Sequence, residues 1–349
     1  MRIKTRHAIT TTLLAGTLAL GLGVGRGGPP PARAAVHQPP VALIGYQIST
    51  FATGATAFSH PDSLLVAGSH VFVGYQNVTA KDGADHKSST IVEYTLQGQL
   101  VRTVNVPGHT DGLRMEPATH LLWVLSNEDG NPVLTTIDPA AGMTQLYHFS
   151  AAPHGGGYDD MAFLHGMAFI DASNPTLNKG GINVFPALDR IVLRGMEVVL
   201  TPVMNGNATG TDAVTNQKAS INAADPDSMT ISPQGDLVLD NQAGSELLFL
   251  HNPGAAHQTL RRLSVGTQVD DTVWTTSAQG RLLVADTAAN AVYALRTVFI
   301  PGTVYAAAPN DAGVASFVGL LNLKSGGITP IMVGLSSPHG LAFLPDAQS

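Results

Sequence analysis

PDSMTISPQGDLVLDNQAGSELLFLHNPG, residues 226–254, decides how the rest of the chain is read. It opens on a short phrase, Pro226-Asp227-Ser228-Met229. Two apolar runs follow, Leu237-Val238-Leu239-Asp240 and Leu247-Leu248-Phe249-Leu250, separated by a polar turn. Runs of four to six Leu, Val and aromatic residues joined by Asn, Asp and Gly turns predict antiparallel strands. The same grammar recurs in Leu121–Leu125 with Val133–Ile137, and in Leu282–Asp286 with Ala291–Leu295. Long helical periodicity is absent.

The opening phrase also recurs. It reads Pro61-Asp62-Ser63-Leu64, Thr110-Asp111-Gly112-Leu113, Tyr158-Asp159-Asp160-Met161, Pro226-Asp227-Ser228-Met229, Val269-Asp270-Asp271-Thr272 and Pro338-His339-Gly340-Leu341. The acidic or histidine positions fall at 62, 111, 159, 227, 270 and 339, spaced by 49, 48, 68, 43 and 69 residues. Three spacings match one four-stranded propeller blade. The two longer ones call for insertions, for which 201–224 and 298–316 are the candidates. The predicted fold is all-β, a six-bladed β-propeller over residues 58–349. Residues 35–57 precede it and close the last blade by N-to-C strand closure, which removes open sheet edges.

The first 34 residues read differently. Arg2, Lys4, Arg6 and His7 form a basic head, Ile9 to Val24 an apolar middle, and Ala32-Arg33-Ala34-Ala35 a small-residue end. This is the layout of a cleavable signal peptide, cut near Ala34-Ala35. The apolar run falls short of the ~20 residues of a membrane span, and no second run approaches that length. The expectation is a secreted or periplasmic chain without stable membrane insertion, an uncleaved anchor being the other reading. Residues 1–34 hold five basic residues and no acid, so the remainder moves from a net charge of −7 to −12. Nucleic acid is a poor partner for such a surface, because phosphates need Lys and Arg clusters. The chain has no cysteine, so neither disulfides nor a cysteine-borne lipid anchor is available.

If the six phrases are equivalent, Asp62, Asp111, Asp159, Asp227, Asp270 and His339 ring one mouth of a central channel. A single Asp where a strand opens is most simply a turn residue accepting local N–H groups. A ring of them repels itself and attracts a cation or holds protons. His60 and His109 each stand two residues before a ring Asp, and His154 precedes Asp159. Oxygen donors alone suit calcium, whereas imidazole beside carboxylate suits a transition metal. No H-E-x-x-H spacing accompanies them, and exposed loop histidines are the plainer reading. The expected metal-ligating set is nonetheless Asp62, Asp111, Asp159, Asp227, Asp270, His339, His60, His109 and His154. Asp160 and Asp271, beside ring acids, are expected to be solvated. No G-x-S-x-G elbow is present, and Gly155-Gly156-Gly157 precedes a strand rather than a phosphate-binding helix.

Residues 226–254 and 269–295 resemble blades of NHL-repeat proteins and of the related six-bladed group of gluconolactonases (senescence-marker proteins) and strictosidine-synthase-like proteins. The likeness covers most of residues 58–345 as a repeat grammar. It implies a divalent cation on the axis, held by acidic residues and asparagines. Asp227 matches that group's aspartate phrase. His339 stands at its asparagine phrase, and its early glutamate has no counterpart in His60-Pro61-Asp62. Pro338-His339-Gly340-Leu341 also resembles the propeller lyases that open streptogramin B antibiotics, where a histidine is the base. Two functions follow as expectations. One is a divalent-cation propeller acting on a small polar molecule as a lactonase-like hydrolase or a lyase, with Asp227 or His339 as base. The other is a non-catalytic NHL-type scaffold for a protein or cell-envelope partner.

Overall fold

A computed structural model describes residues 39–309 and 313–346. The leader and its cleavage point lie outside the described residues. Among the described residues no helix is long and apolar enough to cross a membrane. The structure is all-β.

β1 (Val41–Ala42) and β2 (Gln47–Thr53) pair with strands from the far end of the chain. β3 (Pro61–Ala67), β4 (His70–Tyr75), β5 (Ser88–Thr95) and β6 (Leu100–Pro107) form an antiparallel sheet in chain order. A second such set is β7 (Thr110–Met115), β8 (Leu122–Ser126), β9 (Val133–Ile137) and β10 (Thr144–Phe149). A third is β11 (Met161–Leu164), β12 (Met167–Asp171), β13 (Pro186–Arg194) and β14 (Glu197–Asn205). Parallel pairing of β10 with β14, His148 opposite Glu197, joins these two sets into one eight-stranded sheet. β15 (Thr209–Asp212) and β16 (Lys218–Ser220) form a hairpin on the outer edge of the next set. That set is β17 (Pro226–Ile231), β18 (Leu237–Asn241), β19 (Glu246–His251) and β20 (Thr259–Ser264).

The last third departs from chain order. β21 (Thr272–Trp274) does not pair with the next hairpin in the chain, β22 (Gly280–Asp286) and β23 (Ala291–Arg296). Its partner is β24 (Val304–Ala308), followed outward by β25 (Phe317–Leu321), β26 (Ile328–Val333) and β1. β22 instead pairs with the final strand, β27 (Pro338–Pro345), while β23 pairs with β2. Residues 269–295, expected to form one blade, therefore divide between two sheets. Residues 298–316, expected to be an insertion, contain the strand beside β21. The reason lies in packing. Leu282 and Val284 on one face of β22 join Tyr305, Ala307 and Val318, whereas Leu283 and Ala285 on the other join Leu64, Val71 and Tyr75. Both faces are thus buried only between the β24–β26 and β3–β5 layers.

The same period-two logic organises the whole core. Alternate residues of a strand point to opposite faces, so a strand between two layers is apolar on both sides. Val71 and Val73 pack toward β22 while Phe72 packs toward Leu113 and Val124. Six apolar clusters each bridge one sheet unit to the next. The innermost strands touch in the cyclic order β3, β7, β11, β17, β21, β27 and back to β3.

Candidate functional site

Each recurring phrase sits at the start of an innermost strand, and in four units the pairing register shifts there. Pro61 faces Tyr75, but Leu64 faces Val73. Thr110 faces Ser126, but Leu113 faces Val124. Pro226 faces Asn241, but Met229 faces Leu239. Pro338 faces Asp286, but Leu341 faces Val284. One extra residue on the inner strand makes a β-bulge, which bends the strand and re-aims a side chain. The bulge carries Asp62, Asp111, Asp227 or His339. Proline leads three of the four phrases, and bulges are among the few sheet positions that tolerate it.

The third phrase position lets neighbouring inner strands touch. A Cβ on Gly340 would meet Asp62 O at 2.1 Å, and one on Gly112 would meet Asp159 O at 2.6 Å. In two units this position is the second acid. Asp160 Oδ2 accepts the Met229 amide of the next inner strand at 2.9 Å, and Asp271 Oδ2 accepts the Leu341 amide at 2.7 Å. Both acids are buried, so the expectation that they are solvated is corrected. They lash inner strands together. Arg114 donates to Asp160 Oδ2 and, at 2.7 Å, to Met229 O.

Asp62, Asp111, Asp159, Asp227, Asp270 and His339 all line one cavity of about 540 Å³. His339 Nδ1 lies 2.9 Å from Asp270 Oδ2 and 3.4 Å from Asp62 Oδ1, with Ser337 Oγ 2.9 Å from its Nε2. Gln242 donates to Asp270 Oδ2 at 3.2 Å and to Asp227 Oδ2 at 3.4 Å, and Gln76 to Asp111 Oδ1 at 2.8 Å. The three histidines before the ring have separate fates. His109 is buried and outside the lining, its Nε2 3.5 Å from Asp111 Oδ1. His60 lies outside the lining, at a turn with φ of 61°, its amide bound to Asn290 Oδ1. His154 is buried behind the wall, with its Nε2 2.7 Å from Gly157 O.

Sequence reading missed Glu128, just past β8. Its side chain is buried, and Lys81 Nζ lies 2.5 Å from its Oε1. The glycine run holds it in place. Gly157 N donates to Glu128 O at 2.8 Å, and a Cβ there would meet Asn127 O at 2.0 Å. Glu128 belongs to two groups whose ligand atoms lie within 4.8 Å of one another: Glu128, Asp159 and Asp227, and His109, Asp111 and Glu128.

Among the described residues, ten carboxylates line the cavity against two cationic side chains, Lys81 and Arg114. That many negative charges cannot coexist in a low-dielectric site without protons or cations. Burial raises Asp159 well above the usual carboxylate range, and the charges of Asp227 and Glu128 add to it. Burial does the same at Asp227, aided by Asp270 and Asp225, and at Asp111, aided by Glu128 and Asp62. Burial pushes Asp62 to about 7 even though His339 opposes it, and pushes Asp271 to about 8 although Arg114 opposes it. Glu128 is the exception. Burial pushes it up, but Lys81 and a hydrogen bond from Asp159 hold it below its ordinary value. Asp159 and Glu128, two would-be ligands, are thus shifted in opposite directions. The donor set fits a cation, and Asp111 Oδ2 and His109 Nε2 are buried with no hydrogen-bond partner among the described residues.

These shifts make stability depend on pH. Asp62 and Asp271 titrate near 7 and 8 in the fold. The unfolded chain releases those protons near pH ~4, so the native state binds more protons in between. The stability these two carboxyls contribute to the chelated protein should be full below about pH 4 and be lost as pH rises to about 8. Thermal denaturation in chelator across this range checks it, and a midpoint that climbs with pH would contradict it.

No family model and no curated protein matches the chain. Among solved structures it is similar to a Bacteroides caccae protein of unknown function, at 9% identity over 82% of this chain and 87% of that one, TM-score 0.49. It is similar to the periplasmic gluconolactonase of Pseudomonas aeruginosa, at 12% identity over 81% and 88%, TM-score 0.47. A streptogramin B lyase gives 12% identity over 87% and 96%, TM-score 0.47. The chain is thus similar to a gluconolactonase and to a streptogramin B lyase, and at these scores the likeness carries no argument for either activity.

Proposed function

We propose that this chain is a secreted six-bladed propeller that binds a divalent cation at its acidic mouth and acts there on a small polar molecule. Each of the six phrases opens one blade, and β2 closes the last. The observation that carries the reading is the convergence of Glu128, Asp159 and Asp227, three carboxylates with oxygens within 4.8 Å of one another on the wall of the cavity. An all-oxygen set of this kind suits calcium or another hard cation. When bound, such a cation polarises a substrate carbonyl or lowers the pKa of a water. Asp227 holds the cation. His339, fixed between Asp270 and Asp62, moves the proton as general base and then acid. Hydrolysis of a lactone-like ester and elimination by a lyase both fit these roles.

The test is a cation panel on chelated protein. At 100 times its Kd, a bound cation stabilises the fold by about 2.7 kcal/mol. Calcium, magnesium or manganese should raise the melting midpoint saturably, and Asp227→Ala should remove most of that shift. If no cation moves the midpoint, the reading falls and a scaffold role takes its place.

A further inference from the structure

We infer that the mouth holds a second cation site, of nitrogen and oxygen donors, built from His109, Asp111 and Glu128 and sharing Glu128 with the oxygen site. The three residues offer ligand atoms within 4.8 Å of one another. Geometry around each points to coordination rather than to packing.

His109 is oriented from behind. Its Nδ1 lies 2.8 Å from Thr79 Oγ and 3.1 Å from Thr79 O. A carbonyl only accepts, so the ring donates Nδ1–H to it. The Thr79 hydroxyl donates elsewhere, to Gln76 O at 2.6 Å, and so accepts from the same N–H. That tautomer leaves a lone pair on Nε2, the atom that faces Asp111 and is buried without a hydrogen-bond partner. Metal-binding histidines are commonly held this way, the far N–H given to a backbone carbonyl.

Asp111 repeats the pattern. Gln76 Nε2 fixes Oδ1, and Oδ2 is left buried and unpartnered. Both side chains are more than nine-tenths buried. A buried polar atom without a partner costs about 1–3 kcal/mol. Two of them, on residues that group with Glu128, are compensated together by a cation. Lys81 contacts the same carboxylate, but its side chain is 60% exposed and can swing outward. Imidazole with carboxylates selects zinc or a similar transition ion, where the Glu128–Asp159–Asp227 set selects calcium.

Calorimetry with zinc chloride in saturating calcium tests the inference on the full chain. Wild type should bind one zinc per chain under these conditions, and His109→Gln should bind none. Thr79→Val, which removes one of the two acceptors behind His109, should weaken zinc about tenfold while leaving calcium unchanged. It keeps the test open if His109→Gln fails to fold. Absence of zinc uptake by wild type, or equal uptake by a folded His109→Gln, overturns the inference. Asp227→Asn separates the two readings. Loss of calcium with retained zinc supports both. Zinc uptake that depends on His109 in a protein indifferent to calcium sinks the oxygen site and leaves this one standing.

Discussion

Glu128→Gln is expected to lower calcium affinity about a hundredfold, or ~2.7 kcal/mol. The reason is its charge state. Asp111, Asp159 and Asp227 are pushed toward their neutral forms by burial and by one another, whereas Lys81 keeps Glu128 ionised. It is the permanent anion around which the others titrate. Asp159 is shifted toward its neutral form, whereas at Glu128 a cation need only displace a flexible ammonium. Glutamine keeps the shape and removes the charge. Titration calorimetry on chelated wild type and variant measures the difference. An affinity within threefold of wild type would show that the cation is held elsewhere.

Arg114→Met should produce the largest loss of stability, about 3–5 kcal/mol at neutral pH, the usual cost of stranding a buried charge by removing its partner. The guanidinium bonds Asp160 Oδ2, Met229 O and Leu113 O, and its charge also opposes the raised titration of Asp271. Asp160 and Asp271 are the acids that tie inner strands by their amides. Without Arg114, Asp160 must either protonate or sit buried as an anion, and Asp271, already near 8, moves higher still. The loss should shrink at pH 5, where Asp160 can take up a proton at less cost. Urea denaturation in chelator at the two pH values checks both parts. A loss below about 1 kcal/mol at pH 7 would mean that solvent already screens these acids.

The ring was legible because repetition reveals equivalence without any knowledge of contacts. Six copies of one phrase place Asp62, Asp111, Asp159, Asp227, Asp270 and His339 at matching points, and the fold brings all six to one cavity. Glu128 was illegible because it lies outside the phrase, in the loop after a second strand. Gln76 and Gln242 stand at similar places, immediately past β4 and β18, and also line the cavity. The loop positions just past each second strand, aligned with one another, are the signal that finds all three. His109 and His154 look alike in sequence, each a few residues before a ring Asp. Only the partners of their ring nitrogens separate them, a Thr79 carbonyl behind one and a Gly157 carbonyl ahead of the other. The exchange of the β22–β23 hairpin into the last sheet was hidden for a different reason. Hairpin signals say which strands are joined by a turn, not which sheet receives them. Neighbours in sequence usually pair, and here the burial of both faces of β22 overrides that rule.

The bulge has an evolutionary consequence. Because the extra residue projects away from the ladder, its side chain is largely decoupled from the apolar layers that hold the sheets together. Aspartate in one unit and histidine in another occupy the same kind of socket without altering the strands on either side. Four such sockets line one cavity, and each can be rewritten at small cost to the scaffold. The mouth of this protein is in that sense a combinatorial lock, whose present setting is acidic and whose others lie one or two substitutions away.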